Sequence, residues 1–233
     1  MSLTGKMEAG SGDSVARSRK FVQENLKCSG KTELPDGMDS QEQAQKQVQL
    51  PFVMEMKRGH KSRLEIEFAG KTAVQVYDGA NGWKLRPFLN RNDVQPFTTE
   101  EARAEAEKAD LDGPLVDYAA KGTKVDLEGM DPVEGHPAYK LKLTSKSGDV
   151  QHVWIDAQSF LDVKVEGTQR CMDGRMHNVW VYQRDFRAIQ GLQVPYVLET
   201  AVEGYPDTHE VLIEGVVVNP KLDDALFAKP SAK

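Results

Sequence analysis

No run of about 18 apolar residues occurs in the sequence, so no α-helical membrane span is encoded. Cysteine is scarce: Cys28 and Cys171 stand far apart with no CxxC, which excludes a disulfide-dense scaffold and leaves thiol or disulfide open. The five histidines, His60, His136, His152, His177 and His209, form no HxH or HxxxH pair, so none has metal-ligand spacing. Positive charge is not in excess: 30 Lys and Arg face 36 Asp and Glu, a net charge of −6. A nucleic-acid binder would show a basic stripe, and short clusters such as Arg17-Ser18-Arg19-Lys20 read as solvated surface. Nucleophile elbows (GxSxG) and phosphate loops (GxGxxG, GxxxxGK[ST]) are missing. Asp110-Leu111-Asp112-Gly113 hints at a calcium loop, but Lys108 and Ala119 fall at ligand positions. No catalytic, metal-binding or cofactor-binding residue is therefore assigned, and the protein reads as a non-enzyme without cofactors. The opening Met1-Ser2-Leu3-Thr4-Gly5-Lys6 lacks the apolar stretch of a secretory signal. The protein is then either cytosolic or exported on a segment outside this sequence.

What is present is alternation. Hydrophobic residues make up 39%, charged residues 28%, and the mean hydropathy is −0.55, a balance that suits sheets with one wet face. The 233 residues fit one domain, 1–233. Phe52, Met54 and Met56 alternate with Val53, Glu55 and Lys57; Leu64, Ile66 and Phe68 alternate with Arg63, Glu65 and Glu67. Gly59-His60 between them predicts a hairpin, which places the two apolar sets on one surface. Val74 and Val76, then Tyr139, Leu141 and Leu143, Val153 and Ile155, Leu161, Val163 and Val165, Val179 and Val181, Val194, Tyr196 and Leu198, and Val211 and Ile213 continue the period. Turn signals at 78–82, Ser147-Gly148 and Asp173-Gly174 separate them. The pattern predicts an antiparallel meander of about ten strands.

Residues 98–122 break the pattern. Thr98 and Glu101 match a capping box, Ala102, Ala106 and Ala109 recur at helical spacing, and Pro114 suits the start of a second short helix ending at Gly122. Such a thin helical pair covers only part of a curved sheet, and the uncovered apolar face either packs on itself or accepts an apolar ligand. Residues 14–26 read as a helix or a polar strand, and the Gln-rich 39–49 as a loop or helix.

The order of motifs resembles the outer-membrane lipoprotein-sorting family. It runs from Met54-Glu55-Met56-Lys57-Arg58 and the hairpin to Leu64-Glu65, through Tyr77-Asp78-Gly79-Ala80-Asn81-Gly82-Trp83 and Pro87-Phe88. It continues with Asp110-Leu111-Asp112-Gly113-Pro114, Gly191-Leu192-Gln193-Val194-Pro195, and Leu222-Asp223-Asp224-Ala225-Leu226-Phe227. Gly59 departs from the proline usual after the arginine. The resemblance implies an incomplete β-barrel, a half-barrel with a helical lid over an apolar cavity. Residues 10–49 are then an insertion or the family's N-terminal helix. It further implies a periplasmic carrier for a lipid, an acyl chain or an acylated lipoprotein, working as a monomer with envelope partner proteins. A cofactor-free enzyme on the same fold, or an envelope sensor or interaction module, are the alternatives. Cavity candidates are Phe52, Met54, Met56, Leu64, Ile66, Phe68, Val76, Trp83, Leu141, Ile155 and Tyr196; Arg58 is the expected lid latch, bonding to the helical cover.

Overall fold

The computed structural model describes residues 1–9, 48–87 and 91–231. The helix-or-strand reading of 14–26, the role of 10–47, Cys28 and Phe88 lie outside the described residues.

Thirteen strands form one antiparallel sheet. They are β1 (Ser2–Ala9), β2 (Val48–Lys57), β3 (Lys61–Phe68), β4 (Lys71–Tyr77), β5 (Gly82–Arg86), β6 (Arg91–Pro96), β7 (Lys124–Met130), β8 (Ala138–Thr144), β9 (Val150–Asp156), β10 (Asp162–Met172), β11 (Arg175–Ile189), β12 (Leu192–Val202) and β13 (His209–Val217). Their spatial order is β6-β5-β4-β3-β2-β1-β13-β12-β11-β10-β9-β8-β7. Every neighbour is a chain neighbour except β1 and β13. Two meanders are thus joined by one long-range pairing, Leu3 opposite Val216 and Met7 opposite Val211. Two-residue turns with both residues at positive φ, Ala69-Gly70 and Asp173-Gly174, match the right-handed twist of their hairpins.

The sheet stays open, with β6 and β7 as its edges, and the connection between those edges carries the single described α-helix, α1 (Thr99–Lys108). The expected second helix is absent. Residues 111–122 form turns instead, because Asp117 sits at φ 53°, a left-handed conformation that stops helix propagation.

The sheet buries residues on both faces. On one, Phe52, Val194, Tyr196 and Ile213 are buried, with Leu3, Met7, Met54, Leu64, Ile66 and Ile189 against them. On the other, a 3₁₀ turn (Asp224–Phe227) inserts Phe227, 1% exposed, onto Val74, Val76, Trp83 and Leu85. Lys57 donates to the Leu222 carbonyl at 3.0 Å and Arg63 to the Leu226 carbonyl at 3.0 Å, which pins that turn. Further along the same outer face, the Lys164 ammonium lies 4.3 Å from the Trp154 ring and 5.0 Å from that of Trp180, and the Trp154 indole donates to Asp131.

Candidate functional site

The helix is built as its sequence dictates. The Thr98 hydroxyl accepts the Glu101 N–H at 3.2 Å and the Glu101 carboxylate accepts the Thr98 N–H at 2.9 Å, a complete capping box. Glu101 does a second job: both its oxygens accept the Lys84 ammonium, at 2.5 and 2.6 Å. One turn on, the same side of α1 presents Glu105, which accepts the hydroxyl of Ser62 at 2.7 Å; Ser62 is 2% exposed. Arg103 projects from the other side and pairs with Asp149 in the β8–β9 turn.

These contacts measure the curl of the sheet. β3, which carries Ser62, and β9, which begins beside Asp149, are seven strand spacings apart. At about 4.8 Å each, that is roughly 34 Å in a flat sheet. A helix of about 10–12 Å diameter reaches both, so the sheet wraps around and α1 straps its open side. The face under the strap is the inner face of a half-barrel.

Register assigns side chains to that face. Phe52 is opposite Ile66, Met54 opposite Leu64 and Met56 opposite Ser62, and Phe68 follows in the same parity. Through β1 and β13 the face continues to Tyr196 on β12. Through β11 it continues along Val181, Val165, Val153 and Leu141, with Ile155 opposite Tyr139. Nine of the eleven sequence-chosen positions therefore share one apolar surface.

Solved structures with the same architecture exist. A LolA superfamily protein from Nitrosomonas europaea aligns at TM-score 0.58 and 16% identity, over 98% of this chain and 89% of that one. A domain described as outer membrane lipoprotein-sorting, from Vibrio parahaemolyticus, aligns at TM-score 0.55 and 13% identity, again over 98% and 89%. A DUF1329 family protein from Desulfovibrio piger aligns at TM-score 0.53 and 16% identity over 78% of this chain and 83% of that one. The chain shares the fold of these structures. No family model matches the sequence, and no curated protein matches it.

Within this LolA-like fold two sequence choices are corrected. Val76 and Trp83 lie on the outer face under Phe227, because the Leu64–Gln75 register turns Ala73, Gln75 and Tyr77 inward on β4. A recess of about 640 Å³ is lined by residues 49–51 and 67–72 and takes in only Phe68 of the chosen set. Another of about 150 Å³, lined by Val133, Glu134 and Arg184 among others, takes in none of them.

Arg58 does reach the segment that straps the sheet, through a bidentate pair with Asp112 at 2.5 and 2.9 Å rather than through helix carbonyls. Its side chain is 76% exposed, so solvent screens the pair and it is a weak fastening. The stronger ones, Lys84–Glu101 and Ser62–Glu105, were not chosen from the sequence. The capping box marked Glu101, but nothing local marks Lys84 as its partner.

The fastenings make the strap acid-sensitive. Burial works against ionisation of Glu101, yet the Lys84 and Thr98 hydrogen bonds outweigh it and hold the carboxyl below the usual range. Asp112 is held low by Arg58, and Asp149 by Ser147 and Arg103. A carboxyl depressed in the folded state stabilises above its unfolded pKa and loses that contribution as pH falls through the folded one. Amide exchange over 99–108, corrected for intrinsic rate, is expected to stay constant from about pH 5 to 8. It should accelerate below about pH 4, ahead of the central strands. Acceleration already at pH 6 would contradict this assignment.

Proposed function

We infer that this chain is a non-enzymatic carrier for a lipid, an acyl chain or an acylated lipoprotein in the cell envelope. The observation that carries the reading is the apolar inner face running from Leu141 to Ile66 beneath the α1 strap. Each methylene removed from water there contributes about 0.8 kcal/mol, so a long chain binds without elaborate polar chemistry. The sorting role named for the Vibrio parahaemolyticus domain supports the same class. Cys171 is buried and disulfide-bonded, the chemistry of an oxidising compartment such as the periplasm.

Native mass spectrometry of the full chain purified from a bacterial host tests the reading. Adducts with the masses of phospholipid or fatty acid are expected, and delipidated protein should take up a fluorescent acyl probe. Protein that is adduct-free and also fails to take up the probe would overturn the proposal. The strap should govern uptake through its screened and unscreened fastenings differently. Arg58→Leu is expected to change the uptake rate by less than about twofold, because its pair faces solvent. Lys84→Met removes a half-buried cation from Glu101 and should raise the rate several-fold. Stopped-flow probe uptake that ranks the two the other way would restore Arg58 as the latch.

A further inference from the structure

We propose that the amphiphile this face takes carries a zwitterionic head of ammonium and phosphate, read by Asp185 and Arg187. The proposal rests on the acyl-binding reading above. Apart from Lys84–Glu101 beneath the strap, Asp185–Arg187 is the only ion pair between inner-face residues among those described. Three of its neighbours on the face are apolar: Val194 lies opposite Arg187, Ile189 follows it, and Tyr196 underlies the guanidinium at 4.0 Å from the ring centroid, while the polar Gln183, two residues before Asp185, donates to Asp162 at 2.9 Å. The pair stands just before the Gln190-Gly191 turn that ends the β11–β12 hairpin, at the rim of the sheet, where a head group meets water while its chain lies along the face.

The hydrogen-bond inventory of the pair selects the head. Asp185 accepts from Arg187 Nε at 3.2 Å and from Nη2 at 2.6 Å. A guanidinium has five N–H donors, so the two on Nη1 stay directed away from Asp185 and suit a phosphate oxygen. Each Asp185 oxygen keeps a lone pair, which suits a primary ammonium. A purely anionic head gains little, because the Asp185 carboxylate beside Arg187 cancels most of the attraction. A head with both charges satisfies both members at once.

The test presents delipidated full chain with vesicles containing equal phosphatidylethanolamine and phosphatidylglycerol of identical acyl chains. Protein-bound lipid is then extracted and quantified. The parent should retain the ethanolamine lipid over the glycerol lipid by roughly threefold, the scale of a half-exposed charge contact. Asp185→Asn leaves Arg187 unopposed and should turn the preference toward the anionic lipid. Arg187→Gln should abolish the preference by lowering the ethanolamine lipid retained. Both side chains are about half exposed, so neither change threatens the core. An identical lipid ratio in parent and both variants would overturn the head-group assignment and leave acyl binding standing. A parent that binds no lipid at all would overturn the acyl reading itself.

Discussion

Gly5→Ala is expected to lower the thermal midpoint by roughly 6–12 °C, because one methyl group there has no space to occupy. A Cβ on Gly5 would sit 2.0 Å from the Leu212 carbonyl oxygen and 3.0 Å from the Ile213 Cα. Both atoms are backbone, so no rotamer change relieves the contact and β1 must move away from β13. Among the described residues that pairing is the only one joining the two meanders, and its register shifts between Thr4 and Gly5. Overpacking at the upper end of its usual range costs about 3 kcal/mol. Gly167 supplies the control. It is also a strand glycine, but its nearest neighbour would be the Val179 Cγ1 at 3.2 Å, a side-chain atom that can shift. Gly167→Ala should move the midpoint by no more than about 3 °C. Circular-dichroism melts of the two variants that coincide would show that β1 and β13 are not held as tightly as their register implies.

How much of this was legible before the structure depended on what each segment had to bury. Strands in the middle of the sheet display period two because one face is covered, and the hairpin of Met54 with Leu64 could be read from parity alone. Edge strands need no such pattern. β6 (RNDVQP) and β7 (KVDLEGM) are short and charged, which protects an open sheet against pairing with other chains, and so they escaped a count based on alternation. On β4 the alternation was clear but its direction was not. Val74 and Val76 are the more apolar set, and only the C-terminal Phe227, about 150 residues away, makes the outer face the one that buries them. The capping box of α1 was readable because both partners lie within one turn. Its fastening to Lys84 and Ser62 was not, since those contacts exist only once the sheet curls. Asp185 and Arg187 likewise look like ordinary polar strand residues; only the pairing of Arg187 with Val194 and its contacts with Tyr196 and Asp185 place them over the apolar face.

Replacing Met54 and Leu64 together by glutamine is expected to weaken acyl-probe binding by tenfold or more, with the fold intact. The two residues are direct cross-strand partners on the inner face, and both are partly buried against the core rather than within it. Glutamine has nearly the shape of methionine, so the change is chiefly one of polarity. An amide covered by an acyl chain without a hydrogen-bond partner costs roughly 1–3 kcal/mol, and about 1.4 kcal/mol is already tenfold in affinity. The adjacent pair Val53 and Glu65 provides the matched comparison: the same two strands, the same mutual pairing, the opposite face. Val53→Gln with Glu65→Gln should leave probe affinity within about twofold, although loss of the Glu65–Arg63 ion pair costs some stability. Fluorescence titration of a long-chain acyl probe, on variants whose circular-dichroism spectra match the parent, separates the two cases. Equal losses from both pairs would mean the probe does not select the inner face. An unchanged affinity in the inner pair would place the acyl chain elsewhere, with the recess at residues 49–51 and 67–72 the next surface to substitute.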